Sequence, residues 1–388
     1  MTPPRRPSLL VAHHSAELYG SDRMALQSVR AFVAAGWDVV VVLPAPGPLQ
    51  AELERAGARV DVRALPLLRK NLMSPRGVVG YAVASARALP GLVALVRRLK
   101  PDVLYVSTVT MPPWLLAGRL TRRRVLSHVH EAEEGLPRPV AVALAAPLLL
   151  AHVVVANSGV TRDVVARALP SLRRRTVVVH NGVPGPDAGQ WSPPPAVPAD
   201  PVRLVLVGRI TPRKGTEVAV HALARLRDRG TKAVLTLVGG SFAGNEAFEE
   251  ELRAAVRHHG LDDAVHWAGE VDPVWPSLEA ADVVLVPSRV ESFGNVAVEA
   301  MLACRPLVVA STQGLRETVL EIGAAEGVPA GDADALADAV QRVLDDWEAA
   351  VARALRAREE AQRRFGPDRY AAGLVDVADS LRGVPAGS

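Results

Sequence analysis

"VRLVLVGRITPRKGTEVAVHALARLRDRG", Val202–Gly230, decides the fold. Its opening residues form an apolar run of strand length. Its closing residues repeat apolar side chains at helical spacing and stop on a glycine. Between strand and helix, Arg209 and Lys214 flank a turn that ends at Gly215. Two cations beside the unpaired amides of a helix start make an anion site. Only 4 of the 45 Lys+Arg are lysines, so a lysine in this loop stands out.

The same strand–helix alternation runs outward in both directions and predicts a doubly wound α/β protein. Strands are expected in "SLLVAHH", "DVVVVLP", "ARVDVRAL", "DVLYVS", "RVLSHVH", "HVVVANS" and "TVVVHNG" of the first half. Those of the second half are "VRLVLVGRI", "AVLTLVGG", "AVHWAGE", "ADVVLVPS" and "RPLVVAS", followed by one helical region, "ADALADAVQRVLDDWEAAVARALRAREEAQRRF". "GVPGPDAGQWSPPPAVPADP", Gly182–Pro201, has no periodicity and reads as a proline-stiffened linker. The expected domains are 1–184, a linker 185–200, a second domain 201–365, and a last helix 366–388 that crosses back to the first domain. Two such units imply a cleft, with ligands beyond the carboxyl ends of the strands.

At 388 residues, 49% hydrophobic and 22% charged, the chain can bury two cores. One cysteine, Cys304, excludes an internal disulfide framework and fits a reducing compartment. No signal peptide is expected, because Met1–Pro7 leads straight into a strand. The longest apolar stretch, Val140–Ala156, contains Pro147 and is short for a membrane span, so it reads as a core helix and a buried strand. Met1–Gln190 carries 24 Lys+Arg against 12 Asp+Glu, whereas Trp191–Ser388 carries 21 against 29. The basic half is expected to meet something anionic. Nucleic acid is disfavoured, since aromatic residues make up only 4% and no recognition motif accompanies the charge.

Two further stretches join the Arg209–Lys214 loop. "VGGSFAG" offers glycines that let backbone approach a ligand. "PSRVESFGNVAVEAM", Pro287–Met301, places Glu291 before a helix that begins at Gly294 and Asn295. It also carries Glu299 into an apolar helix start, where a buried carboxylate demands a hydrogen-bonding partner. An acceptor-only carboxylate suits a vicinal diol. Glu299 therefore reads as a clamp on ribose hydroxyls, and Glu291 as a partner for sugar hydroxyls near a leaving phosphate.

Glu-x-Phe-Gly followed by Glu-Ala-Met, with "GRITPRKG" upstream, resembles a retaining glycosyltransferase of the GT-B fold. Within that fold it is similar to the large family 4 type that contains sucrose synthases, mannosyltransferases and bacterial cell-envelope sugar transferases. "AELYGSDRMAL", "HVHE", "ANSGVTRDVV" and "HNGV" extend the resemblance over the first domain. The resemblance implies two Rossmann-like domains facing a cleft, and transfer from a UDP- or GDP-linked sugar to a hydroxyl acceptor. Arg209 and Lys214 would hold the diphosphate, with support from amides near Gly294 and Asn295, and Glu299 would hold the ribose. Glu291 would contact the donor sugar, His130 would reach a donor hydroxyl, and Gly20 would let backbone pack against the diphosphate. The leaving phosphate would accept the acceptor's proton, so configuration is retained without a dedicated base. This chain departs from the pattern at Tyr19-Gly20-Ser21-Asp22, at Cys304 where a glycine is usual, and at Gln313-Gly314 in place of a double glycine.

The acceptor class implied is a glycan, a lipid-linked molecule or a small molecule. Cationic clusters Arg69-Lys70, Arg97-Arg98-Lys100 and Arg122-Arg123-Arg124 suggest an anionic membrane surface as a further partner. The expected setting is the cytoplasm, peripheral to the inner face of the plasma membrane. No metal or other cofactor is expected. His128 and His130 share a strand face but lack a third ligand at suitable spacing, and the Asp332/Asp334 pair opens a helix, where aspartate is ordinary capping. An NAD oxidoreductase is disfavoured, because no Gly-x-Gly-x-x-Gly follows the first strand of either domain. A sugar-nucleotide epimerase or hydrolase, or a non-catalytic nucleotide-sugar binder, stays open as the alternative on the same scaffold.

Overall fold

The protein is represented by a computed structural model that describes residues 5–68, 75–131, 135–186, 191–240 and 245–383. The chain divides into two compact units, one of Met1–Gly182 with Pro367–Ser388, the other of Val183–Gly366.

The first unit opens with β1 (Ser8–Ala12), α1 (Gly20–Ala34), β2 (Asp38–Leu43), α2 (Pro48–Arg55) and β3 (Arg59–Val62). It continues with α3 (Pro75–Leu99), β4 (Val103–Val106), α4 (Pro112–Leu120) and β5 (Arg124–Val129). Then come α5 (Arg138–Ala145), β6 (Val153–Ala156), α6 (Gly159–Ala168) and β7 (Thr176–Val178). The second unit runs β8 (Val202–Val207), α7 (Thr216–Asp228), β9 (Ala233–Val238), α8 (Glu246–His258), β10 (Val265–Gly269), α9 (Trp275–Glu279) and β11 (Val283–Val286). Next are α10 (Asn295–Leu302), β12 (Leu307–Ala310), α11 (Gln313–Leu315), β13 (Glu326–Val328), α12 (Ala333–Asp345) and α13 (Trp347–Phe365). The last helix, α14 (Pro367–Arg382), belongs to the first unit.

Both sheets are parallel, ordered β3-β2-β1-β4-β5-β6-β7 and β10-β9-β8-β11-β12-β13. A parallel sheet is covered on both faces, so its strands read as continuous apolar runs. Alternation along β1 shows it. Leu9 and Val11 face a core shared with α1, α2 and α14, whereas Leu10 and Ala12 face α3 and α4. In β8, Leu204 and Leu206 pack towards α7 and α12, and Val205 towards α10 and α13.

Every strand expected from the sequence is present, and the doubly wound α/β class is the observed one. The short β13 was not foreseen. The helical region expected after it breaks at Asp346, whose side chain accepts from the Ala349 amide and caps α13. Val140–Ala156 resolves into α5, a 3-10 turn at Ala146–Leu150 and β6. Among the described residues, one helix is long and apolar enough to cross a membrane by length and composition: Arg76–Leu99, with 11% of its apolar window buried. The sequence reading did not single it out. Residues 187–190 of the proline-rich stretch lie outside the described set, and its described part has neither helix nor strand. That part is held to the second unit, with Trp191 under the Arg358 guanidinium at 4.0 Å and the Trp347 indole donating to Pro195 O at 2.9 Å.

Candidate active site

In the second sheet the strand order reverses between β8 and β11, and crevices for ligands open beyond the carboxyl ends at such a switch point. The loops that leave these two strands carry Arg209–Gly215 and Ser288–Gly294. Lys214 Nζ lies 2.6 Å from Glu291 Oε2, and both side chains are largely buried. The contact depends on tight backbone packing behind it. Gly215 has φ +67°, and a Cβ there would stand 2.2 Å from Pro287 O. The Arg289 amide donates to Arg213 O at 2.9 Å, and the Arg289 guanidinium pairs with Glu217 at 2.8 Å. Two hydroxyls at this edge, Thr216 Oγ1 and Ser288 Oγ, are buried and have no partner among the described residues. Buried polar atoms left unpaired are rare enough to mark a place where a polar ligand is expected.

Gly294 precedes α10 with φ +97°, and a Cβ there would stand 2.5 Å from Leu315 Cδ2. Asn295 and Glu299 follow on α10, four residues apart on the stripe that Ala297, Val298 and Ala300 leave open. Glu299 is half-buried, which corrects the expectation of a carboxylate enclosed in an apolar helix start. The apolar neighbours belong to the opposite face, which packs into the core. Arg209 is exposed at the end of β8. Ser241–Gly244 of the "VGGSFAG" loop, and the Arg69-Lys70 cluster, lie outside the described residues.

In the first unit the order reverses between β1 and β4. His13, next after β1, is buried and bonded through Nδ1 to Ser107 Oγ at 2.5 Å and through Nε2 to Asp22 Oδ1 at 2.8 Å. Asp22 also accepts from the Tyr19 amide at 3.0 Å. The residue by which this chain departs from the glycine-rich pattern is therefore a structural anchor. Gly20 starts α1, and outside its chain neighbours and its own helix backbone no atom of the described residues lies within 4 Å of where its Cβ would stand.

His130 follows β5, half-buried, and its ring has no hydrogen-bond partner among the described residues. Burial and the neighbouring charges of His13 and His14 push its pKa down to about 3. It is thus a neutral hydrogen-bonding group near pH 7, not a cation. His14 is lowered to about 4, mainly by burial and then by His13, against the pull of Asp22. Behind His130, the fully buried His128 ring lies 4.1 Å away, centroid to centroid. His128 Nδ1 meets the Tyr105 hydroxyl at 2.6 Å, and Ser28 joins the Tyr105 and Tyr370 hydroxyls at 3.2 and 2.6 Å. Beside it, Thr108 Oγ1 donates to Glu131 at 2.5 Å. Of this network only His128 was read from the sequence as structural; Tyr370 comes from a helix distant in the chain and left no local signal. Asp332 caps α12 by accepting from the Ala335 amide at 2.9 Å, and Asp334 pairs with Arg225 at 2.8 Å.

Residues 19–184 match the model of Glycosyltransferase Family 4, and residues 188–364 match that of Glycosyl transferases group 1. The 2-deoxystreptamine N-acetyl-D-glucosaminyltransferase of Streptomyces fradiae is 31% identical over 358 residues, which span 85% of this chain and 83% of that one. The D-inositol 3-phosphate glycosyltransferase of Kineococcus radiotolerans is 36% identical over 202 residues, spanning 46% of each chain, so that match covers about half of the relative. The Anabaena protein HepE, solved in complex with UDP and glucose, superposes with a TM-score of 0.79 at 21% identity, covering 96% of this chain and 99% of its own. With two parallel doubly wound units and both family models matched along its length, the chain belongs to the family 4, group 1 glycosyltransferases and has their GT-B fold.

Proposed function

We propose that this glycosyltransferase takes its sugar from a nucleoside-diphosphate sugar bound at the carboxyl edge of the second sheet, and transfers it with retention. The observation that carries the reading is the Lys214–Glu291 pair at the β8/β11 switch point. A cation and an acceptor-only carboxylate held side by side suit a ligand with an anionic and a hydroxyl-bearing end. In this reading the diphosphate takes Lys214 and Arg209, while Glu291 accepts from a hydroxyl of the donor sugar. The helix start at Gly294–Asn295 adds its amide dipoles to the phosphates. Glu299, on the same helix, accepts from both ribose hydroxyls.

Charge on the leaving diphosphate grows as the glycosidic bond breaks, and fixed cations aimed at it stabilise that change more than the ground state. The phosphate oxygen is then the base for the acceptor hydroxyl on the same sugar face, which gives retention. His130, neutral and with no hydrogen-bond partner for its ring among the described residues, orients a hydroxyl by donating or accepting one hydrogen bond.

Relatives named for transfer to 2-deoxystreptamine and to D-inositol 3-phosphate support a polyhydroxylated six-membered carbocycle as acceptor. An anionic surface as a further partner has the support of α3, which contains no acidic residue and exposes Val78, Val79 and Val83. Co-sedimentation with anionic vesicles tests that partner, and protein left in the supernatant ends it.

The test of the donor site is calorimetric titration of UDP and of GDP into the wild type and Glu299→Ala. Binding of one nucleotide, weakened in the variant, is the expected result. Tight binding that the variant leaves unchanged would remove Glu299 from the ribose. Consumption of donor only when a polyol acceptor is present separates transfer from epimerisation or hydrolysis.

A further inference from the structure

Gln313 adopts φ +28°, in the left-handed region that a β-carbon disfavours. Its Oε1 accepts from the backbone N–H of Glu291 at 3.2 Å. The next residue continues the same seam, with the Gly314 amide donating to Glu291 O at 2.9 Å. A Cβ on Gly314 would stand 2.3 Å from Ser292 O, so the two loops meet backbone to backbone. Thr312 Oγ1 donates to Ser288 O at 3.2 Å and Thr318 Oγ1 to Phe293 O at 2.8 Å, which fastens the seam at both ends.

Because the Glu291 amide is a donor, the Gln313 carboxamide must turn its oxygen towards it. The two hydrogens on Nε2 then point away from that bond, and they have no partner among the described residues. Gln313 is half-buried, so these donors are only partly hydrated. The residue whose amide Gln313 holds, Glu291, carries carboxylate acceptors of its own, one of which Lys214 holds.

From this arrangement we infer that Gln313 is a selectivity-determining residue for the donor sugar, acting with Glu291 to read one hydroxyl. A sugar hydroxyl placed there donates to the Glu291 carboxylate and accepts from Gln313 Nε2, and so uses both of its capacities. A sugar without that hydroxyl, or with it on the other face, leaves a donor and a carboxylate unpaired in a half-buried site. Rejection of this kind is stronger than any obtained by fitting apolar shape. The assignment rests on Glu291 meeting the donor sugar. It goes beyond that role by placing the partner donor on a different loop.

The test measures dissociation constants by calorimetry for UDP, UDP-glucose, UDP-galactose, UDP-N-acetylglucosamine and UDP-xylose, or for GDP, GDP-mannose and GDP-fucose if GDP is the nucleotide bound. The proteins are the wild type, Gln313→Ala and Gln313→Glu. The glutamate variant keeps an acceptor for the Glu291 amide but loses both Nε2 hydrogens, so it separates the donor role from the seam. Expected is a narrowing of the ratio between the best and poorest sugar by about five- to tenfold in both variants. Each affinity is compared with that of the bare nucleotide in the same protein, which removes any general effect on the diphosphate. A ratio unchanged in Gln313→Glu would overturn the assignment, as would equal weakening of every sugar nucleotide and the bare nucleotide. Absence of UDP and GDP binding in the wild type would overturn the donor-site reading itself, and this assignment with it.

Discussion

Lys214 Nζ and Glu291 Oε2, 77 residues apart in sequence, stand 2.6 Å apart at the carboxyl ends of adjacent strands. A diphosphate that takes Lys214 therefore competes with a carboxylate already in place. The same exchange releases Glu291 to accept from a hydroxyl. Opposite effects on binding and turnover follow. Glu291→Gln weakens the competitor and is expected to raise UDP affinity about threefold to tenfold, while transfer falls at least about a hundredfold. Lys214→Ala is expected to lower UDP affinity by about tenfold or more. Calorimetry and a transfer assay on the two variants check both directions.

In the proposed donor site Glu299 accepts from two ribose hydroxyls at once. Glu299→Ala is expected to weaken UDP by about tenfold, the scale of a hydrogen bond to a charged group. Against 2′-deoxy-UDP the same variant loses less, because half of the contact is already gone. Equal losses for both nucleotides would place Glu299 elsewhere.

Two glycines separate folding from catalysis. Gly215→Ala puts a Cβ 2.2 Å from Pro287 O at φ +67°, so the loop must shift. A loss of about 2–3 kcal/mol is expected, within the range of strain and overpacking together. Gly20→Ala meets no atom of the described residues within 4 Å beyond its chain neighbours and its own helix backbone. Its urea midpoint is expected to stay near that of the wild type, so any fall in transfer by this variant reports on function and not on folding.

Acid weakens the fold through His14 and His130. Their pKa values are depressed in the folded chain, to about 4 and about 3, from the usual 6.5. Below pH 6.5 the unfolded chain takes up protons that the native chain refuses, so stability is complete above that pH and falls as pH drops towards 4. At pH 5 the loss is on the order of 1–2 kcal/mol per histidine. Urea denaturation at pH 7 and pH 5 measures it, and His14→Asn should flatten the slope.

Tyr370→Phe removes a hydroxyl 2.6 Å from Ser28 Oγ in a fully buried network. The expected cost is about 1–2 kcal/mol, with Ser28 keeping its bonds to Met24 O and Tyr105. Tyr105→Phe should cost more, because His128 would then keep no hydrogen-bond partner among the described residues on either nitrogen. Guanidinium melts of the two variants rank them.

Strands and the second-unit loops were legible because both are local. A run such as "VVVVL" can satisfy its side chains only when covered on both faces, and a loop closed by glycine before a helical repeat marks its own strand-to-helix turn. Short β13 was missed, since three residues carry no periodicity. Glu299 was read in the right place but with the wrong burial. Neighbours in sequence alternate around a helix, so apolar residues on either side of it mark the opposite face. The His13–Ser107 bond that completes the Asp22 anchor and the Ser28–Tyr105–Tyr370 network join segments far apart in the chain, and no short window contains both halves. Gln313 looked like a lost glycine. Its positive φ and its bond to Glu291 exist only once the two loops meet.

Pro367–Arg382 lies in the first unit, although the residues just before it belong to the second. Leu374, Ala378 and Tyr370 of that helix complete the core that Val29, Phe32 and Val179 begin. During synthesis, therefore, the seven strands of the first sheet emerge long before the helix that seals one of their faces. The second unit, continuous from Val183 to Gly366, is free to fold in the meantime. The earlier-made unit is thus the later-finished one. A ribosome-bound chain stalled near Gly366 would carry an open apolar groove, which a chaperone has reason to hold until α14 arrives.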